Sequence, residues 1–313
     1  MPSAPLPIRH GINPTRLRLP DDGVWPTVRE YLLDRFPDQP AAIEGLFDAG
    51  DIVYLDGKPL SRHSPFRRDE FVWYHREVAA EERVPFEVET IFEDAEILVV
   101  DKPHFLASTP NGRFVIECVV TRLRRERNEP DLVAIHRLDR VTAGLLVLSR
   151  NPATRGRYQL LFQNRQIRKE YEALAGFDPE LEFPITVRNR LGKPPGTRQT
   201  LVLDGEPNAE TRIELLERLG DVARYRLLPH TGKTHQLRVH LNALGIPIVG
   251  DTLYPNEREI ARDDYSSPLQ LIARRLSFED PLTGEPRTFT SRRMLREPGD
   301  LAVGRSGDAA SRS

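Results

Sequence analysis

The sequence predicts an α+β fold built around a largely antiparallel sheet, on two observations. Strand-like runs come as hairpins around short turns, and helical patterns fall between those hairpins rather than after every strand. Taken in order, "PTVREYLLDRF" reads as the first helix. Thr27 and Glu30 have capping-box spacing, Val28, Tyr31, Leu32 and Phe36 recur at helical intervals, and Pro37 stops the run.

A second helical piece, "AAIEGLFDAG", ends at Gly50, and "IVYLDGKPL" follows as a strand, an Asp56-Gly57 turn and a return strand. Two short helices and a hairpin carrying a G-x-I-x-x-x-x-G pattern, over residues 20 to 78, resemble the small αL RNA-binding fold; a structural N-terminal extension is the alternative reading. The polar, aperiodic "AAEERVPF" is the expected linker. The expected organisation is therefore an N-terminal extension over 1–85, a catalytic domain over 86–296 and a disordered tail over 297–313, small and polar in composition.

In the central part, "VETIFEDAEILVVDKP" reads as two strands around Asp94-Ala95. Asn151 and Pro152 mark a helix start for "PATRGRYQLLFQN". "QIRKEYEALAG" alternates, so that Ile167, Lys169, Tyr171 and Ala173 share one strand face. "TRIELLERL" and "VARYRLLP" form a hairpin at Gly220-Asp221, and "THQLRVHLNALG" reads as a helix stopped by Gly245.

Composition narrows the function. The chain has 313 residues, 39% hydrophobic and 29% charged, enough for a large domain plus a small one. It has no apolar run of the roughly 18 to 20 residues a membrane helix needs, and "MPSAPLPIRHGINPTR" lacks a signal-peptide core, so a cytoplasmic location is expected. Cys118 is the only cysteine, which excludes a disulfide framework or a cysteine metal site. The formal charge of −2 hides two basic runs. Arg122, Arg124, Arg125 and Arg127 form one; Arg150, Arg155, Arg157, Arg165, Arg168 and Lys169 form the other, with no acid between 150 and 169. Each is either a solvated face or, around a shared site, a surface that meets phosphate.

Between these runs lies "VAIHRLDRVTAGLLVLSR", a lone carboxylate, Asp139, flanked by Arg137 and Arg140 and followed by strand-like sequence. His230, His235 and His240 are spaced by five, which suits no chelate, so no metal site is expected. Ser149 or Ser108 with His136 and Asp139 lacks the nucleophile elbow of a serine hydrolase, and Walker and dinucleotide loops are absent from the sequence. What remains is a site of one carboxylate, an aromatic and cations.

"HRLDRVTAGLLVLSR" resembles the H-R-L-D-x-x-T-S-G-L-L-V-x-A-K signature of the RluA-type RNA pseudouridine synthases. "VVDKP", "KEYEA", "TGKTHQLRVHL" and "GDTLY" agree in the same order, so the resemblance spans about residues 88 to 292. It implies the pseudouridine synthase fold, a mixed central sheet flanked by helices and loops. It also implies an isomerase that cuts the ribose–uracil nitrogen bond, turns the base and rejoins it through carbon with no change of redox state and no cofactor. Asp139 takes the nucleophile's position, Arg238 that of its paired arginine and Tyr171 that of the tyrosine expected to stack on the extruded uracil and to help remove the proton from carbon 5 of the rotated base. Arg137 matches the arginine that enters the RNA or supports the flipped nucleotide. His136, Lys169, Lys233, Thr234 and His235 are the further residues placed toward RNA, for general contact or for structure. Expected partners are rRNA or tRNA and no membrane, with the chain a monomer; a catalytically silent RNA-binding or ribosome-assembly protein of the same fold is the alternative. Among the departures from the pattern, Ala143 stands for serine, Lys233 for arginine and Phe105 for glycine.

Overall fold

Five helices and fourteen strands form among the residues that the computed structural model describes, 4–112, 114–261 and 263–296; the expected tail lies outside them. The chain divides into two compact units, one of residues 1–81 with 121–130 and one of 82–120 with 131–313.

In the first unit, β1 (Thr15–Arg18), α1 (Val28–Arg35), α2 (Pro40–Asp48), β2 (Ile52–Val53) and β3 (Phe71–Tyr74) give a three-stranded sheet in the order β1-β3-β2. The Thr27 hydroxyl accepts the Glu30 amide at 3.2 Å and caps α1 as its spacing predicts. Leu19, Val28, Leu32, Ile52 and Val72 make the core of the unit. The Asp56-Gly57 turn is present, with Gly57 at φ +76 and the Leu60 amide on the Ile52 carbonyl at 2.8 Å. Its return arm shrinks to a bridge between Val53 and Pro59, because a proline has no N–H to extend the ladder. β3, unmarked by any turn signal, supplies the pairing instead.

The second unit contains β4 (Glu89–Glu93) and β5 (Ile97–Lys102), then α3 (Val119–Arg127), which passes into the first unit at Thr121. After it come β6 (Val133–Ala134), β7 (Ala143–Ser149), α4 (Arg155–Gln163), β8 (Arg168–Gly176), β9 (Ile185–Gly192), β10 (Leu201–Leu203), β11 (Ala209–Leu219) and β12 (Val222–Pro229). α5 (Gln236–Ala243), β13 (Leu271–Glu279) and β14 (Pro286–Thr290) complete it. Eleven strands join one sheet whose main path runs β10-β9-β11-β12-β8-β13-β7-β5-β4, with β14 beside β13 and β6 beside β7. Every pairing is antiparallel except β13 with β7, so the sheet is mixed and largely antiparallel, as expected.

Two sequence readings are corrected. The helix expected from Pro152 begins at Arg155: the Asn151 carboxamide oxygen accepts the Ala153 amide at 3.0 Å, which makes a tight turn before the helix. The run Arg122–Arg127 is not an open basic face, because Arg122 and Arg124 are buried and Arg124 donates to the Gly11 carbonyl and the Asn13 side chain at 3.1 Å each. Only Arg125 of that run is exposed.

The parallel contact explains a glycine. Gly144 has φ +108, and a Cβ there would lie 2.4 Å from the Ala273 carbonyl oxygen. Gly144→Ala is expected to destabilise the protein by about 2–4 kcal/mol, from a clash with backbone plus a disfavoured dihedral. Gly196→Ala, at φ +77 in open space, keeps only the dihedral cost of about 1 kcal/mol. Denaturant titration of the two variants checks the contrast.

Candidate active site

Asp139 lies in the loop between β6 and β7, and that loop is held from several sides. The Ser108 hydroxyl donates to the Leu138 carbonyl at 2.8 Å and accepts the Leu138 amide at 3.0 Å, while the Thr142 amide donates to the Asp139 carbonyl at 3.1 Å. The Lys102 ammonium, fully buried at the end of β5, donates to the carbonyls of Pro103, Leu106 and Arg140 at 2.9, 2.8 and 3.2 Å. Burial pushes its pKa well down, against the pull of Asp139. The carboxylate thus leaves a backbone with little freedom.

The opposite wall is the start of α5. The Gln236 carboxamide donates to the Glu210 carbonyl and the Thr211 hydroxyl at 2.9 Å each, and accepts the Thr231 hydroxyl at 2.7 Å and the Lys233 amide at 3.0 Å. This clip folds residues 231–235 onto β11 and aims Arg238 at Asp139. Arg238 Nη1 is 3.5 Å from Asp139 Oδ2. Its other face forms a two-pronged pair with Asp251, Nε to Oδ2 at 2.8 Å and Nη2 to Oδ1 at 2.7 Å, with both side chains buried. Burial alone would lower the Arg238 pKa, but the hydrogen bonds and charge of Asp251, then the charge of Asp139, carry it above its ordinary value. Asp251 Oδ1 also accepts the amides of Leu253 and Tyr254 at 2.8 and 3.1 Å.

All nine residues singled out from the sequence line one cavity of about 890 Å³. Asp139, Arg238 and His235 meet within 4 Å, His235 Nε2 being 3.9 Å from Asp139 Oδ2. Tyr171 enters from β8, and its phenol is held protonated well above the ordinary range by burial and then by the Asp139 charge. Lys169, two residues earlier on the same face, donates to the Thr231 carbonyl at 3.1 Å. Arg137, Lys233 and Thr234 are exposed around the opening, and neither Arg137 nor Lys233 has an ion-pair partner among the described residues. Among the described residues Asp139 is the only acidic side chain in the lining, against Arg137, Arg165, Lys169, Lys193, Arg198 and Lys233 among others.

His136 occupies a different position from its neighbours. Its Nε2 accepts the Val147 amide at 3.0 Å and its ring stacks on Phe162 at 4.4 Å, so it braces the loop and only Nδ1 remains to meet a ligand. Asp251 was missed from the sequence, as were Gln236 and Ser108 in their bracing roles; Lys102 in "VVDKP" reads from the sequence as a turn support, and it braces the loop. Asp251 lies inside the quoted "GDTLY", but spacing alone offers no sign of its partner.

The departures from the family pattern have local accounts. Phe105 sits at φ +66, where glycine is favoured, and is held by Phe86 and Tyr265, with ring centroids at 6.3 and 5.2 Å, and by the Arg140 guanidinium on its carbonyl at 3.2 Å. Ala143 is fully buried against β13, where a hydroxyl would need a partner.

Comparison with known proteins places the chain among relatives. The RNA pseudouridylate synthase family model matches residues 96–243. The dual-specificity RNA pseudouridine synthase RluA of Vibrio parahaemolyticus is 35% identical over 200 residues, 61% of this chain and 77% of that one. The enzyme of the same name from Escherichia coli is 34% identical over 205 residues, 64% of this chain and 90% of that one. Ribosomal large subunit pseudouridine synthase D of Vibrio vulnificus is 32% identical over 226 residues, 66% of each chain. Among solved structures, human RNA pseudouridylate synthase domain containing 4 shares the fold, with a TM-score of 0.52 and 24% identity over 69% of this chain and 93% of that one.

Fold and relatives together define an RNA-modifying isomerase, a pseudouridine synthase. The chain belongs to the RluA-type family of these enzymes.

Two predictions follow from the buried groups. Asp251→Asn strips the charge from a buried ion pair and is expected to cost about 3 kcal/mol of stability, read by denaturant titration, and to lower activity with it. Three imidazoles are kept neutral by burial, His136 pushed down to about 3 and His104 and His240 to about 4, from an ordinary 6.5. The unfolded chain therefore binds protons that the folded one refuses, so stability is intact above about pH 6.5 and falls as the pH drops toward 4. The expected slope is up to about 1.4 kcal/mol per pH unit for each histidine. Unfolding midpoints at about pH 7 and about pH 5 should converge in part for His240→Gln, which removes one share.

Proposed function

We propose that this enzyme converts specific uridines in structured ribosomal or transfer RNA, 23S rRNA or tRNA, to pseudouridine with Asp139 as nucleophile. The observation that carries the reading is the Asp139 carboxylate 3.5 Å from a buried guanidinium on the floor of a cavity with no other acid in its lining among the described residues. A carboxylate placed under a nucleobase loses hydration, and the Arg238 guanidinium sets a positive charge beside it in compensation. The anion either attacks the anomeric carbon, as in retaining glycosidases, or opens a route through a glycal, and both are compatible with this geometry. Cleavage of the bond to uracil N1, rotation, bond formation at carbon 5, loss of the proton there and gain of one at N1 balance without any redox partner.

Tyr171 serves as a stacking surface for the extruded uracil and, as the family resemblance implies, helps to remove the proton from carbon 5 once the base has turned. A stacked base cannot reach Asp139, so the nucleotide must be extruded, at a cost of a few kcal/mol offset by stacking and phosphate contacts. Arg137, exposed and unpaired at the opening, is placed to fill the vacated position, and Lys169, Lys233 and Thr234 to meet the backbone. The helix–helix–hairpin order of the first unit supports an αL-like RNA-binding role. Arg9, Arg18, Arg29, Arg62, Arg67 and Arg127 of that unit are paired with acids. Contact would fall to exposed Arg35, Lys58, Arg68, Arg76 and Arg125. A cytoplasmic monomer suits this activity, and among the described residues no helix is long and apolar enough to cross a membrane.

Release of tritium from RNA carrying 5-tritiated uridine tests the reading. Wild type should release it, and Asp139→Asn should be slower by more than about 10³-fold. Equal release by both would remove Asp139 as nucleophile, and no release from either, with RNA still bound, would favour the catalytically silent RNA-binding protein.

A further inference from the structure

His235 stands outside this account so far, and its backbone singles it out. It caps α5 with φ +54, a left-handed conformation that glycine or asparagine adopts at lower cost, yet an imidazole is kept there. The side chain is 14% exposed and packs edge-to-face on Tyr254 at 5.8 Å. Nδ1 is 3.0 Å from the Tyr254 hydroxyl, and Nε2 is 3.9 Å from Asp139 Oδ2, the same oxygen that Arg238 approaches.

The Tyr254 hydroxyl has one proton and three neighbours. It accepts the Thr200 amide at 2.7 Å, which leaves the Thr200 carbonyl at 3.0 Å and His235 Nδ1 at 3.0 Å to compete for that proton. If it goes to Thr200, Nδ1 must carry the imidazole hydrogen and Nε2 presents a lone pair to an anion. If it goes to Nδ1, the imidazole hydrogen sits on Nε2 and points at the anion. A carboxylate at that distance selects the second arrangement.

We propose that His235 is a positioning residue for the nucleophile: as an Nε2–H tautomer fixed by Tyr254, it holds Asp139 Oδ2 together with Arg238 and leaves Oδ1 to reach the sugar. No hydrogen bond to Oδ1 occurs among the described residues, whereas both donors converge on Oδ2. At 3.5 and 3.9 Å both are longer than a formed hydrogen bond, the state expected of an open site that tightens on its substrate. Burial lowers the imidazole pKa against the pull of Asp139, so the group acts as a neutral donor.

The inference rests on Asp139 being the nucleophile, and three variants separate the two claims. His235→Gly accepts the left-handed backbone and deletes the ring; His235→Asn accepts it and keeps a shorter N–H donor. In single-turnover assays on a fixed RNA, His235→Gly should be about tenfold slower with RNA affinity within about twofold of wild type. His235→Asn should fall between, and added imidazole should restore part of the rate to the glycine variant alone. A glycine variant at the wild-type rate overturns the proposal. So does one whose loss follows RNA affinity and is not rescued, since that marks an RNA contact. If Asp139→Asn is active, the nucleophile reading itself has failed; if it is inactive while His235→Gly is unimpaired, only the inference about His235 falls.

Discussion

Arg238 is a buried cation shared unequally by two carboxylates, and the rest of the site depends on that inequality. Asp251 takes the planar fork with two short hydrogen bonds, and Asp139 receives only the remaining nitrogen at 3.5 Å. A buried guanidinium with one partner would be left uncompensated whenever that partner lost its charge, at a cost of several kcal/mol. In the proposed reaction Asp139 loses its charge each time it bonds to the sugar. Asp251 keeps Arg238 neutralised through that interval, so the nucleophile is free to react without dismantling the wall that activates it.

The fold supplies this arrangement by bringing distant segments to one place. Asp139 precedes β7, Tyr171 lies on β8 and Arg238 on α5, while β13 pairs with both β7 and β8 and sets their spacing. The loops are then held by side chains that touch no substrate: Ser108 and Lys102 on the Asp139 loop, Gln236 on the loop before α5. Each bracing group is buried with its hydrogen bonds made, which a precise site needs, since a half-satisfied buried group costs more than an apolar one.

The legible part of this molecule was local. Capping of α1 by Thr27, the hairpin of β11 and β12 around Gly220, and the shared face of Ile167, Lys169 and Tyr171 follow from spacing alone. The ordered blocks placed the main site residues on one cavity. What stayed illegible was non-local. The places of β9 beside β11 and of β13 between β8 and β7 are set by partners across the sheet. Asp251 gives no sign of Arg238 thirteen positions earlier, because a buried ion pair is a property of packing. Arg122 and Arg124 misled for the same reason: a run of like charges says nothing about which of them the helix turns inward.

That error bears on how this protein meets a polyanion. With a formal charge of −2, the whole chain offers RNA little attraction, and the most basic stretch of its sequence is largely spent on internal contacts. The positive field is assembled instead from single residues on separate elements: Arg137 before β7, Arg165 after α4, Lys169 on β8, Lys193 and Arg198 between β9 and β10, Lys233 before α5. Even here the charge is tempered, since Arg198 pairs with Glu257. A cleft with cations on its walls and a single anion on its floor sorts an RNA strand by charge: phosphates are drawn to the edge and repelled from the centre, where only the neutral uracil and its sugar can approach the carboxylate. On this account the charge pattern of the cleft helps to extrude the nucleotide as well as to bind the strand.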